Sequence, residues 1–135
     1  MASEKLRLIV VTPERQVVDA PADEVQLPGE LGYLGILPGH ATLVTLLKTG
    51  ILSFRDGGKA KALALASGFA EVAHDTVSVL ADLAEEPAQI DPVAAERDRA
   101  QAEEALKTAG IDTMEAIRGR LELALARLEV ARRPS

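Results

Sequence analysis

Short apolar segments with a strand-like period dominate the first part of the chain. In residues 5–10 and 76–81, every second residue is Leu, Val or Ala. A period of two residues is typical of a pleated strand with one buried face. Breaks that contain proline, glycine or aspartate recur through residues 1–86 at a spacing of about eight to twelve residues, which is usual in all-β domains. The pattern predicts many short strands, arranged as an antiparallel sandwich or barrel.

The alanine-rich segment at residues 60–66 is ambiguous when it is taken alone. Its composition favours a helix, because alanine and leucine are strong helix formers. Gly58 and Gly68 flank the segment, however, and leave room for only about one strand of typical length. We therefore predict a strand here.

The pattern changes after Glu86, where longer charged segments replace the short strands. Asp91 can cap the free N–H groups at the start of a helix. Pro92 suits the first helical position, because its missing N–H is not needed there. Gly110 is expected to end this helix in the left-handed conformation.

A second helix is predicted to begin at Asp112, with Glu115 as the other half of a capping box. Its apolar residues recur at intervals of three and four, which makes an a/d stripe: Met114, Ile117, Leu121, Ala124, Leu128 and Ala131. The short link makes the two helices an antiparallel hairpin. Because the first helix offers mostly alanine, which buries little area, the hairpin is expected to open readily. The expected fold class is α+β, with a β-sandwich domain over residues 1–86 and a helical hairpin over residues 87–135.

Composition restricts the possible functions further. The chain has 15 basic and 21 acidic residues and a formal charge of -6. This argues against a nucleic-acid partner, because binding to phosphates needs a basic surface. The chain contains no cysteine, which excludes disulfides and thiolate chemistry. The apolar run at the N-terminus is too short for a signal peptide or a membrane span, so membrane contact is expected only through partner proteins.

The residues indicate no catalytic, metal or cofactor site. The glycine-rich block at residues 29–39 fits neither GxGxxG nor GxxxxGK(S/T), and turns account for it better. His40 has no evident nucleophile to activate, so a structural, hydrogen-bonding role is expected. His74 and Asp75 are expected to form a hairpin turn. With two histidines far apart, a histidine-rich metal site is not expected.

Several motifs occur in the order that is found in one known family. The longest is LPGELGYLGILPGHATLVTLLKTGIL at residues 27–52. The others are SGFAEV at residues 67–72, VSVLA at residues 77–81 and VVTP at residues 10–13. In these motifs the chain resembles the epsilon subunit of proton-translocating F-type ATP synthases. The resemblance spans nearly the whole chain, although Tyr33 stands where the family often has an acidic residue.

The resemblance implies a sandwich of about ten strands and a non-catalytic rotor subunit without a cofactor. The sandwich would bind the gamma subunit and rest on the ring of c subunits, at the cytoplasmic face of a bacterial inner membrane. The hairpin would extend along gamma towards the catalytic α/β hexamer and inhibit ATP hydrolysis. The residues implied in contact with gamma or the c ring are Glu30, Gly32, Tyr33, Leu34 and His40. Those implied in contact with an acidic segment of the catalytic subunits are Arg118, Arg120 and Arg127.

Some bacterial members of the family bind ATP between the hairpin and the sandwich, through a motif that begins Ile/Leu-Asp-x-x-Arg-Ala. Ile90, Asp91 and Arg127 match residues of that site, whereas Ala94 and Leu123 replace two of its arginines. A triphosphate needs cationic donors to replace its lost hydration. We therefore expect weak ATP binding at best.

The residues alone are also compatible with different roles for the helices and for the whole chain. The arginines of the second helix could form a solvated face that carries local ion pairs, such as Glu122 with Arg118. A free-standing nucleotide sensor or adaptor built on a β-sandwich is an alternative of another class. A hydrolase is a third, although no nucleophile–base pair is visible.

Overall fold

A computed structural model describes residues 5–133. Eight strands come first in this part of the chain: β1 (Leu6–Val11), β2 (Gln16–Ala22), β3 (Glu24–Gly29), β4 (Gly32–Ile36), β5 (Leu43–Leu47), β6 (Gly50–Asp56), β7 (Lys59–Ala73) and β8 (Thr76–Glu85). A 3-10 turn over Pro87–Gln89 leads to helices α1 (Pro92–Leu106) and α2 (Ile111–Arg132). The predicted α+β class, with strands first and two helices last, is confirmed.

The strands form two layers. Both layers contain parts of β7 and β8, because these two strands are the longest. The front sheet has the order β2–β1–β8–β7–β5 and uses the second half of β7. The back sheet has the order β4–β3–β6–β7 and uses the first half of β7, beside the end of β8. When the halves of β7 and β8 are counted separately, the sandwich has ten strand segments, as the resemblance implies. One pairing among the described strands is not antiparallel: β1 runs parallel to β8, and the long connection between them makes this possible.

The alternation that predicts strands also identifies the core between the two sheets. Leu8, Val10 and Val77 are completely buried, while Arg7, which lies between buried neighbours, is exposed. Aliphatic side chains supply nearly all of this core, and Phe54 is its single aromatic member among the described residues. Burying side chains of this size stabilises a fold by about 1.5–3 kcal/mol each.

The alanine-rich segment is part of β7, so the prediction of a strand is confirmed. β7 bends as it passes from the back to the front sheet, where Ser67 has a φ of 21° and the pairing with β8 is interrupted. At this bend a Cβ on Gly68 would lie 2.1 Å from the carbonyl oxygen of Leu80. Glycine is therefore required here by the close approach of the two backbones.

Helix α1 starts as predicted, since the Asp91 carboxylate accepts hydrogen bonds from the backbone N–H groups of Val93 (3.0 Å) and Ala94 (3.3 Å). The prediction for Gly110 is wrong. Gly110 has an extended backbone and is itself the N-cap of α2, so the helix begins before Asp112 and the expected capping box does not form. Asp112 instead lies in the first turn, where its negative charge is favourable to the helix dipole.

Helix α2 has two contact faces. Helix α2 packs against α1, and all six members of the predicted stripe are at least partly buried, with Ala124 fully so. The last member, Ala131, packs against the contact with the back sheet. A second face, which the heptad pattern did not predict, packs Ala126 and Val130 against Ala62 and Ala64 on the outside of the back sheet. The hairpin therefore lies against the back sheet and leaves the front sheet uncovered. None of the helices within residues 5–133 combines the length and hydropathy that crossing a membrane requires.

Candidate functional surfaces of the sandwich and the hairpin

The tip of the β3–β4 hairpin presents one acidic and one apolar side chain to solvent. Glu30 and Leu31 are both exposed, and Leu31 is fully so. Gly32 follows with a φ of 138°, which side chains with a Cβ rarely adopt. The tip is held to the neighbouring strand by a hydrogen bond of 3.0 Å from the Glu30 N–H to the Leu46 carbonyl. The glycine-rich block therefore forms turns at residues 30–31 and 38–39, but β4 lies between them, so the prediction of turns is confirmed only in part.

Tyr33 and Leu34, the next two predicted contact residues, point in different directions. The Tyr33 side chain is half-exposed, and its hydroxyl oxygen accepts a hydrogen bond of 3.0 Å from the Ile51 N–H. Leu34 is opposite Leu27 and packs against the core between the sheets. Only Tyr33 of this pair therefore offers much surface to a partner.

His40 lies in the loop between β4 and β5, at the opposite end of β4 from Glu30. Its ring is exposed, and Nδ1 is 2.7 Å from the Ala41 carbonyl oxygen, to which it donates when Nδ1 carries the proton. The neighbouring Gly39 N–H donates to the Asp75 carboxylate at 2.7 Å. The loop is thus fixed to the β7–β8 turn, and the structure does not bring His40 together with Glu30.

That β7–β8 turn matches its prediction. His74 and Asp75 have φ values of 52° and 57°, the left-handed conformation of a tight hairpin. The Asp75 carboxylate accepts from the β4–β5 loop, and its carbonyl accepts from the Arg7 N–H at 2.9 Å. One short turn therefore fixes the position of two neighbouring segments.

An exposed apolar row crosses the outer face of the front sheet, and the alternation of the sequence did not predict it. Leu46 pairs with Phe69, Phe69 pairs with Leu80, and Leu80 pairs with Val11. Val44 lies two residues from Leu46 on the same face. The exposed fractions of Val44, Leu46, Phe69 and Leu80 range from 43% to 65%. Since adjacent strands are about 4.8 Å apart, the row extends for about 14 Å.

The arginines of α2 have different surroundings. Arg118 is exposed and pairs with Glu115 at 3.4 Å, one turn earlier, instead of with the expected Glu122. Arg120 is exposed and has no ion-pair partner among the described residues. Such exposed side chains are available to a partner, and a local pair between exposed groups contributes little to stability.

Arg127 is held by the sandwich. Its Nε donates to Oε1 of Glu85 at 2.6 Å and its Nη2 donates to Oε2 at 3.2 Å. Each of the two side chains is only 23% exposed. Two parallel charge-assisted hydrogen bonds of this kind fix both the distance and the orientation of the pair.

The predicted nucleotide site corresponds to a cleft of about 240 Å³ between the hairpin and the end of the sandwich. Ile90, Asp91 and Arg127 all line this cleft, so the structure brings these three residues together. Ala94 lines the same cleft at the position where the family motif has arginine. Ile90 is buried in the contact between α2 and the back sheet, and Asp91 caps α1. Both residues therefore have structural roles that require no ligand.

Helix α1 is stabilised by its own ion pairs. Arg99 binds Glu96 one turn before it and Glu103 one turn after it, the latter at 2.7 Å. The hydrogen bonds to these carboxylates raise the pKa of Arg99, and the bond from Arg99 lowers the pKa of Glu96. Pairs at these spacings each stabilise an isolated helix by about 0.2–0.5 kcal/mol. They support α1 although it buries little more than alanine.

Comparison with known proteins decides the family. The sequence model of the ATP synthase delta/epsilon chain β-sandwich domain matches residues 5–87. The ATP synthase epsilon chain of Koribacter versatilis is 50% identical over 75% of this chain and 71% of its own length. That of Solibacter usitatus is 42% identical over 95% of this chain and 96% of its own.

The chain belongs to the ATP synthase epsilon chain family. The resemblance seen in the sequence motifs is therefore confirmed, and with it the conclusion that the chain is a non-catalytic accessory subunit of the synthase. A chain in the cryo-EM structure of the Euglena gracilis mitochondrial ATP synthase has the same fold, with a TM-score of 0.83 at 22% identity. It covers 97% of this chain, and this chain covers 83% of it. The contact residues of this chain stay predictions.

Proposed function

We propose that this chain is a rotor subunit whose sandwich joins the gamma subunit to the c ring, while its helices inhibit ATP hydrolysis. Two findings support the proposal: family membership, and likeness to a chain from an assembly that contains F1 and a c-ring. The proposal includes a division of the chain near Glu86, where the strands end. It also includes a position at the cytoplasmic face of a bacterial inner membrane, held there by the complex.

The apolar row on the front sheet is the observation that carries the proposed gamma contact. Leu46, Phe69 and Leu80 are large side chains on adjacent strands, and nothing within residues 5–133 covers them. Burying the exposed half of each such side chain would contribute about 1 kcal/mol, a fraction of the value for complete burial. A paired sheet adds little backbone entropy cost to binding, because its strands are already ordered. The row is therefore well suited to a stable protein partner.

The β3–β4 tip is the proposed contact with the c ring. Glu30 offers a carboxylate and Leu31 a fully exposed apolar side chain. Gly32 and the hydrogen bond from Glu30 to Leu46 hold the tip in one conformation. Half-exposed Tyr33 extends this surface, whereas Leu34 would act indirectly by packing under it.

Binding of purified gamma tests the front surface. The double substitution Leu46→Gln with Phe69→Gln should weaken gamma binding at least tenfold, because it places polar groups in the buried centre of the interface. The matched control is Leu125→Gln, since Leu125 on α2 is similarly exposed at 47% but lies outside the row. If gamma binding survives the double substitution in a normally folded protein, the apolar row is not the gamma contact.

The hairpin is the proposed inhibitory element. A chain that ends at Glu86 retains all eight strands and should fold and bind gamma, and the assembled enzyme should hydrolyse ATP faster. Replacing Arg118 and Arg120 with alanine should relieve inhibition while α2 remains intact, because alanine is the better helix former. These two arginines are preferable to Arg127 in this test, because Arg127 also contacts the sandwich. Unchanged hydrolysis at low salt, where charge interactions are strongest, would assign both arginines to a solvated surface.

A further inference from the structure

The hairpin is attached to the sandwich by little apolar surface. The buried cluster between them contains Ala62 and Ala64 from β7, with Ala126 and Val130 from α2, and Ile90 from the connection. Alanine contributes one methyl group to such a contact, so most of these residues bury little area. Apolar packing alone therefore provides only a weak attachment.

One ion pair joins the same two parts of the molecule. Among the ion pairs of residues 5–133, those of the helices are local to one helix, with the exception of Arg127 with Glu85. Glu85 is the last residue of β8 and lies opposite Ala64 on the neighbouring strand. Because residues that pair across strands point to the same face of a sheet, Glu85 lies at the margin of the apolar contact with α2.

The position of this pair makes it stronger than an ordinary surface pair. Both side chains are mostly buried and joined by two hydrogen bonds. Removing one partner leaves the other charged and poorly solvated, which is costly in proportion to burial. When the hairpin moves away, by contrast, both charges regain water together. The two charge-assisted hydrogen bonds form only in the docked position, so the pair favours the docked hairpin without preventing its release.

We propose that Glu85 is an ionic latch that holds the hairpin on the back sheet and keeps Arg127 from other carboxylates. The latch rests on the proposed function in one respect only, namely that the released hairpin inhibits hydrolysis. An acidic segment of a partner would then compete with Glu85 for Arg127. Such an exchange replaces one carboxylate with another, so Arg127 keeps a partner in both positions of the hairpin.

Amide hydrogen exchange of the full chain measures the latch directly. Glu85→Gln, which keeps the size and removes the charge, should lower the protection of α2 by about fivefold to a hundredfold, between the effects for exposed and buried pairs. Protection of β1 should stay unchanged, because this strand lies in the front sheet. The charge exchange Glu85→Arg with Arg127→Glu should restore part of the protection. The matched control is Glu115→Gln, which breaks only the exposed pair with Arg118.

ATP hydrolysis by the assembled synthase distinguishes a failure of the latch from a failure of the proposed inhibitory function. Glu85→Gln should strengthen inhibition and lower the rate of ATP hydrolysis, because more hairpins are released. If α2 loses protection and hydrolysis stays the same, the latch stands and the inhibitory role of the hairpin fails. If the protection of α2 is unchanged by Glu85→Gln, or if the charge exchange restores none of it, the latch is refuted whatever the hydrolysis rate.

Discussion

ATP should bind poorly in the cleft between the hairpin and the sandwich, and cationic side chains should improve its binding. The cleft is lined by three acidic residues, Glu85, Asp91 and Asp98, and by one basic residue, Arg127. Arg127 is already paired with Glu85. A triphosphate would therefore enter a site that has excess negative charge and whose one lining cation is occupied. The informative perturbation is Glu85→Gln combined with Ala94→Arg.

The size of the effect follows from the donors that are missing. A hydrogen bond to a charged group contributes about 1.5–3 kcal/mol. The two donors that are absent or occupied, at Ala94 and Arg127, together account for about 3–6 kcal/mol, or a factor of about 10² to 10⁴ in affinity. An arginine at position 94 would lie in the first turn of α1, where the helix dipole costs a cation about 0.3–1 kcal/mol. The expected gain exceeds that cost, but Glu85→Gln also weakens the docking of the hairpin that forms the cleft, so the net gain is smaller than the two donors alone would give.

Isothermal titration of the full chain with ATP at low salt is the appropriate assay. The unmodified chain should release no measurable heat at micromolar concentrations, and the double variant should bind at least about tenfold more tightly than it. Adding Arg127→Gln to the double variant should remove about half of the gain in binding free energy, because the freed guanidinium is then lost while the arginine at position 94 remains. Micromolar affinity in the unmodified chain that disappears in Asp91→Ala and Arg127→Ala would refute the reasoning.

Three further substitutions test the fold. Gly68→Ala should lower the free energy of unfolding by about 2 kcal/mol or more, because its Cβ would meet the Leu80 carbonyl oxygen at 2.1 Å. An unchanged urea midpoint would mean that β7 and β8 move apart at this point without cost. Val130→Ala should reduce the hydrogen-exchange protection of α2 by about 1–2 kcal/mol, because it shortens a fully buried side chain at the back sheet. An equal loss of protection in the strands would contradict a local effect. The hydrogen bond from the Gly57 N–H lowers the pKa of Asp23 below its usual 3.8. A carboxylate whose pKa is lower in the folded protein stabilises the fold above its unfolded pKa, and this stabilisation is lost as the pH falls through its folded pKa. Asp23→Asn should therefore flatten the loss of stability below about pH 4. An unaltered acid profile would assign that loss to other carboxylates.

Local features of the fold are predictable because they depend on neighbouring residues. The alternation in β1 and β8 and the cap at Asp91 each follow from a few adjacent positions. The predicted start of α2 is wrong because two candidates lie close together. The Gly110 carbonyl accepts from the Thr113 and Met114 N–H groups, so the helix starts before the better capping side chain of Asp112.

Features that depend on distant parts of the chain are not predictable in the same way. Glu85 and Arg127 are 42 residues apart, and neither has a local pattern that identifies its partner. Each strand contributes only one or two residues to the apolar row, which therefore looks like ordinary alternation. One indication is present in β5, whose sequence LVTLL places apolar residues on both faces. A strand of that kind needs a second cover besides the core.

The two outer faces of the sandwich differ in the size of their apolar side chains, and this difference fits the proposed roles. The back face meets the hairpin mainly through Ala62 and Ala64. Their exposure costs little, so the hairpin can leave without making the sandwich aggregate. The front face instead presents Leu46, Phe69 and Leu80, whose repeated exposure would be costly. A releasable contact should therefore lie on the alanine side and a lasting contact on the side with large residues, as the proposed hairpin and gamma surfaces require.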